Sequence, residues 1–177
     1  MAGERNIADP HLTPGRCQIT VQMEQLFGVK FGYVPFKGGG TVAVELVGKH
    51  VDSTVNNPAE GVSHWKAKRL RALATIDHER IKLPLWDTIP TMKEATGTDM
   101  SYMMLRGIFC APGVTKEQQE YYINVMKKVT ETPEWQKYIS DMGLKGAFLT
   151  GPDYVTWLVE KEKTTKDLMT KGNLLKK

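Results

Sequence analysis

The sequence predicts an α/β fold with a mainly parallel sheet, followed by a run of C-terminal helices. Helix-period and strand-like segments alternate across residues 14–77, which is the signature of α/β units. The strand-like segments are short and rich in β-branched and aromatic residues. After Pro112 the chain turns to capped segments of helical period.

Residues 1–13 are polar and are expected to be irregular. In "GRCQITVQMEQLFG", Ile19, Met23, Leu26 and Phe27 fall on one helical face, and Gly28 is a natural stop. "VKFGYVPF" reads as a strand. "TVAVELVGKH" reads as a short helix ended by Gly48, and "VDSTVN" as the next strand. Pro58 suits the first position of a helix over 58–67. "LRALATI" (70–76) is expected to be another strand. A longer connection with Pro84 and Pro90 carries a short helix near "TMKEAT". "MSYMMLRGIFCAP" (100–112) is expected to be one long or bent strand.

Thr115 with Gln118 forms a capping-box pattern for a helix over 115–131, with Tyr122, Val125 and Val129 aligned. Thr132-Pro133 opens a second helix with the stripe Trp135, Tyr138, Ile139 and Met142, closed by Gly143. "KGAFLT" reads as a short strand. The last helix starts in "GPDYVTWL", turns Tyr154, Trp157 and Leu158 inward, and ends at Gly172. The aromatic stripes read as core rather than as cofactor boxes.

The chain has 177 residues, 41% apolar and 25% charged, and a net charge of +4, which suits a soluble globular protein. Lysines near the end are interleaved with Glu160, Glu162 and Asp167, so they read as a solvated helix face and not as a nucleic-acid patch. Cys17 and Cys110 lie in no metal-like spacing; a disulfide between them is compatible with the sequence, but two buried thiols are the expectation. No apolar run reaches transmembrane length, and "MAGERNIADPHL" lacks the pattern of a secretory signal.

Two turns attract attention. "YVPFKGGGT" places Gly38, Gly39 and Gly40 between a strand and a helix, beside Lys37. Amides at the carboxyl end of a strand and the start of a helix can converge on an anion. From spacing alone, a tight turn with no ligand fits equally well. The lysine precedes the glycines, so this is not a P-loop, and the pattern G-x-G-x-x-G is absent. "VNNP" puts Asn56 and Asn57 at the next strand end, where they can read a carboxylate or simply cap a helix. His11, His50, His64 and His78 show no metal spacing, and no motif assembles a nucleophile, base and orienter. No cofactor or metal is expected.

"YVPFKGGGTVAVELVGKHVDSTVNNPAE", "LRALA", "IPTMKEA", "RGIFCAPGVTKE", "ETPEWQKYI" and "LTGPDY", in this order, resemble the solute receptors of tripartite tricarboxylate transporters. The resemblance spans nearly all of residues 24–160. It implies a type II periplasmic-binding-protein fold, in which two lobes close on a small organic carboxylate and present it to membrane transporter subunits. It implies that residues 1–112 form the second lobe, with the first lobe incomplete. Residues 113–177 would then be a helical segment that packs on that first lobe. The family's turn matches Tyr33, Pro35, Phe36, Lys37, Gly38 and Gly39, and Asn56 and Asn57 inherit a binding role.

The stretch "RNIADPHL" departs from the family's Gly- and Ser-rich loop, so His11 or Asp9 would do different work there. The resemblance also implies a periplasmic, non-enzymatic protein. Apolar helix faces left uncovered would drive dimerisation or local disorder. The competing expectation is a small α/β enzyme that holds a phosphorylated or carboxylate substrate at "KGGGT", with His64 or His11 as base.

Overall fold

The computed structural model describes residues 5–9 and 18–171. The chain forms two compact units, residues 1–72 with 156–177, and residues 73–155. The expected division at 112–113 falls inside the second unit.

The first unit is built on a three-stranded parallel sheet. In chain order it runs β1 (Arg5–Asp9), α1 (Gln18–Phe27), β2 (Phe31–Pro35), α2 (Gly39–Val47), β3 (Ser53–Thr54) and α3 (Pro58–Lys66). The strand order is β2-β1-β3, with Ile7 opposite Tyr33 and Ser53, and Ala8 opposite Val34 and Thr54. The central strand therefore comes from the stretch expected to be irregular. Its two inner residues, Ile7 and Ala8, are buried, and a parallel strand between two neighbours needs no longer apolar run than that. Two apolar residues are too few to show a period in sequence.

The other helices and strands of this unit form near their expected places, but α1 buries Ile19, Thr20, Val21 and Glu24, while Leu26 of the expected apolar face is exposed and Met23 and Phe27 are half-buried. Ala8, Val42 and Val51 form a buried cluster, against which Val34, Phe36 and Leu46 pack. Gly28 turns the chain with φ 63° between α1 and β2. The buried Glu24 spans the same turn. Its carboxylate accepts from the Phe31 amide at 2.9 Å and from Lys30 Nζ at 3.3 Å, which satisfies a charge that would otherwise be costly to bury.

The second unit contains a 3₁₀ turn (Trp86–Thr88), α4 (Met92–Thr96), α5 (Lys116–Thr130) and α6 (Pro133–Met142). Its buried residues include Ile81, Trp86, Ile89, Met92 and Met100. The Trp86 indole reaches toward the Ser140 carbonyl at 3.4 Å. Thr115 and Thr132 cap α5 and α6 as their sequences predict, and Gly143 ends α6 at φ 61°. The helix α7 (Gly151–Lys171) begins in this unit and ends in the first.

Three expected strands do not form. Residues 70–76 hold only one bridge, Thr75 to Thr91, where the Thr75 amide donates to Pro90 and its carbonyl accepts from Met92. Residues 100–112 and 145–150 join no sheet among the described residues. An apolar, extended stretch becomes a strand only when a neighbouring edge accepts it, and none does among the described residues.

The helical stripes are also not core. Tyr122, Val125 and Val129 of α5 and Tyr138 and Met142 of α6 are exposed, while Trp135, Ile139, Tyr154, Trp157 and Leu158 are half-buried. A stripe marks a face that could be covered, not an element that covers it. Cys110 is a free, exposed thiol rather than a buried one. Cys17 lies outside the described residues.

Candidate anion-binding turn

The glycine run begins at the end of β2. Gly38 has φ 96° and ψ 151°, a backbone region open to glycine and strained for other residues. Its amide donates to the Phe36 carbonyl at 3.2 Å, and its carbonyl accepts from Val42 at 3.3 Å. Gly38 therefore sets the angle of entry into α2, and its own N–H is spent internally. The first-turn amides of α2 belong to Gly39, Gly40 and Thr41. Helix geometry leaves such amides without an intrahelical partner, and no acceptor for them is found among the described residues. Among the described residues, the turn amides without an acceptor are thus those of 39–41.

The flanking side chains differ in what they do. Phe36 packs against the buried cluster of Ala8, Val42 and Val51. Lys37 is exposed. Gly39 is buried, whereas Gly40 is exposed and has open space where a side chain would project.

Asn56 and Asn57 are brought to this turn by β3 and the start of α3. Asn56 Nδ2 donates to the Gly39 carbonyl at 3.1 Å and to Glu60 Oε2 at 3.2 Å, and the Thr54 hydroxyl donates to Asn56 Oδ1. The Asn57 amide donates to Glu60 Oε2 at 2.9 Å, and Asn57 Nδ2 donates to Glu60 Oε1 at 2.9 Å. Glu60 is the residue that sequence reasoning missed. Its signal was present: an N-cap asparagine three residues before a glutamate is a capping pattern, and it folds the carboxylate back over the helix start.

Charge at the turn is therefore mixed, with the Lys37 ammonium on one side and the Glu60 carboxylate against Gly39. His11 lies outside the described residues. His64 is half-buried on α3, and its Nδ1 has no hydrogen-bond partner among the described residues. The described residues contain no group of three potential metal ligands, and none of their helices is long and apolar enough to cross a membrane.

This α/β unit, with its parallel sheet and polar strand-end turns, has the fold of periplasmic solute-binding proteins. Two solved structures share it. A TctC solute-binding protein from Polaromonas superposes with a TM-score of 0.74 at 22% identity, covering 96% of this chain and 58% of that one. A protein of R. palustris, solved with adipate, gives a TM-score of 0.77 at 17% identity, covering 97% of this chain and 57% of that one. A curated relative from Cupriavidus necator, described as a UPF0065 protein in the gbd 5' region, is 24% identical over 150 residues, which is 84% of this chain and 44% of the relative. The chain thus spans about half the length of the relatives it matches. The sequence profile of the tripartite tricarboxylate transporter family receptors (TctC) matches residues 16–174, and the chain belongs to that family.

Proposed function

We propose that this protein takes part in capturing a small organic carboxylate in the periplasm and presenting it to the membrane subunits of a tripartite transporter, without catalysing a reaction on it. Family membership carries this reading, and adipate in a protein of the same fold fits the ligand class. The first turn of α2 supplies the chemistry. The amides of Gly39, Gly40 and Thr41 suit a carboxylate, and Lys37 adds a mobile positive charge.

Glu60 shapes this reading. Its carboxylate covers Gly39, so a ligand anion approaches from the open side of Gly40 and Thr41. Asn56 and Asn57 then serve mainly by holding Glu60 and the Gly39 carbonyl in place, with any ligand contact coming second.

The test is calorimetry with monocarboxylates, dicarboxylates such as adipate, and tricarboxylates. Saturable binding that is weakened by Lys37→Ala, with the ligand recovered unchanged, supports the reading. Binding of none of them, alone or in the presence of separately produced receptor lobes of the family, overturns it.

A further inference from the structure

We propose that Ser101, His78 and Asp99 form a nucleophilic site in the second unit, which accepts acyl groups from activated carboxylic esters. The Ser101 Oγ lies 2.8 Å from His78 Nε2, and His78 Nδ1 lies 2.9 Å from Asp99 Oδ1. Each nitrogen of the imidazole is thus engaged by a different partner. The carboxylate on Nδ1 fixes the tautomer whose Nε2 accepts the serine proton, which is the order of contacts a nucleophile, base and orienter require.

The constellation is set by the backbone. His78 follows the segment in which Thr75 bridges to Thr91. Ser101 stands between the buried Met100 and Tyr102, whose amide donates to the Ile76 carbonyl at 3.1 Å. These main-chain bonds hold the 75–78 and 99–102 segments side by side. Asp77 Oδ1 accepts from the His78 amide at 2.7 Å and steadies the ring from its own backbone. The imidazole and the Asp99 carboxylate are exposed, so an ester can reach them from solvent.

The reaction is a double displacement. Ser101 Oγ forms a bond to the ester carbonyl carbon as its proton moves to His78 Nε2. The bond from that carbon to the leaving oxygen then breaks, and the departing alcohol or phenol takes the proton. Water, deprotonated by His78, attacks the acyl-serine and returns the proton to Ser101, which releases the carboxylic acid. Ester and water become acid and alcohol, with no oxidant or further co-reactant.

The full chain is treated with p-nitrophenyl acetate and, separately, with a fluorophosphonate probe. Adducts are located by peptide mass spectrometry. The expected result is a rapid adduct on Ser101 that outpaces labelling of the other serines, lost in Ser101→Ala. His78→Ala should slow it by at least about 10²-fold, the usual contribution of a positioned base. Asp99→Asn should slow it as well. Adducts confined to surface lysines, or a Ser101 rate unchanged in folded His78→Ala, would overturn the proposal. If the contacts only hold two loops together, the variants melt earlier while Ser101 reacts no faster than any exposed serine. That outcome also refutes it.

Discussion

The Glu60 carboxyl group fills the space where Gly39 would carry a β-carbon. The two residues are 21 positions apart in sequence, and their contact joins the start of α2 to the start of α3. Gly39→Ala therefore forces Glu60 away from the Asn57 amide and breaks the hydrogen bonds it accepts there. Overpacking of this kind costs on the order of 1–3 kcal/mol. Gly40→Ala, directed into open space within the same helix, should be neutral or stabilising by about 0.5–1 kcal/mol. Urea denaturation of the two variants separates these outcomes. In the double variant Gly39→Ala/Glu60→Ala, much of the loss should be recovered.

Glu60→Gln should strengthen carboxylate binding at the α2 turn. The substitution keeps an oxygen acceptor for the Asn57 amide and removes a negative charge next to Gly39. A ligand anion then meets Lys37 and the helix amides without that repulsion. Calorimetry should show a several-fold lower Kd, and added salt should narrow the difference between the two proteins.

Glu94 should give the second unit a small sensitivity to acid, small because the pair it forms with Arg80 is exposed to solvent. Its pKa is lowered by the hydrogen bond from Arg80, with Nε at 2.8 Å, and further by the Thr91 amide at 2.7 Å. A depressed folded-state pKa gives stabilisation that is present above the ordinary carboxylate value of 4.5 and lost as pH falls below it through the lower value. Urea midpoints measured from pH 6 down to pH 3 should fall less steeply in Arg80→Leu than in the parent protein. Parallel curves would rule out this pair as a source of the acid sensitivity.

Capping threonines should show their contribution directly. Thr115 and Thr132 accept hydrogen bonds from Gln118 and Trp135, each at 3.2 Å. Replacing either with alanine should cost about 1 kcal/mol, and replacing it with glycine less. Thr91 is buried as well as capping, so Thr91→Ala should cost more than alanine at the exposed Thr115 or the half-buried Thr132.

Cys110 should react with a thiol reagent in the folded protein without added denaturant, because its side chain is free and exposed. Protection in the native state, released by urea, would show that this segment is covered in solution.

Elements that carry their own local chemistry were legible in the sequence. The capped helices α5 and α6 are legible from a threonine, a proline or a glycine at fixed offsets, because a cap needs only its nearest neighbours. Strands were less legible. β1 has only Ile7 and Ala8 as its signal, whereas residues 70–76 look like a strand and have almost no partner. Pairing is a property of two distant segments, and one segment alone does not reveal it. The candidate turn shows the same division. The glycine run was visible, but the internal use of the Gly38 amide depends on where Phe36 comes to rest. Ser101, His78 and Asp99 were invisible as a group because 21 residues separate His78 from Asp99, and only the folded backbone brings them together.

The first unit draws on both ends of the sequence, and residues 156–171 of α7 belong with the sheet formed near the start. During synthesis the second unit, a single continuous stretch, has emerged from the ribosome before the first can be finished. A stop codon just after residue 155 would therefore harm the unit whose sheet is translated earliest and leave every residue of the second unit in the product.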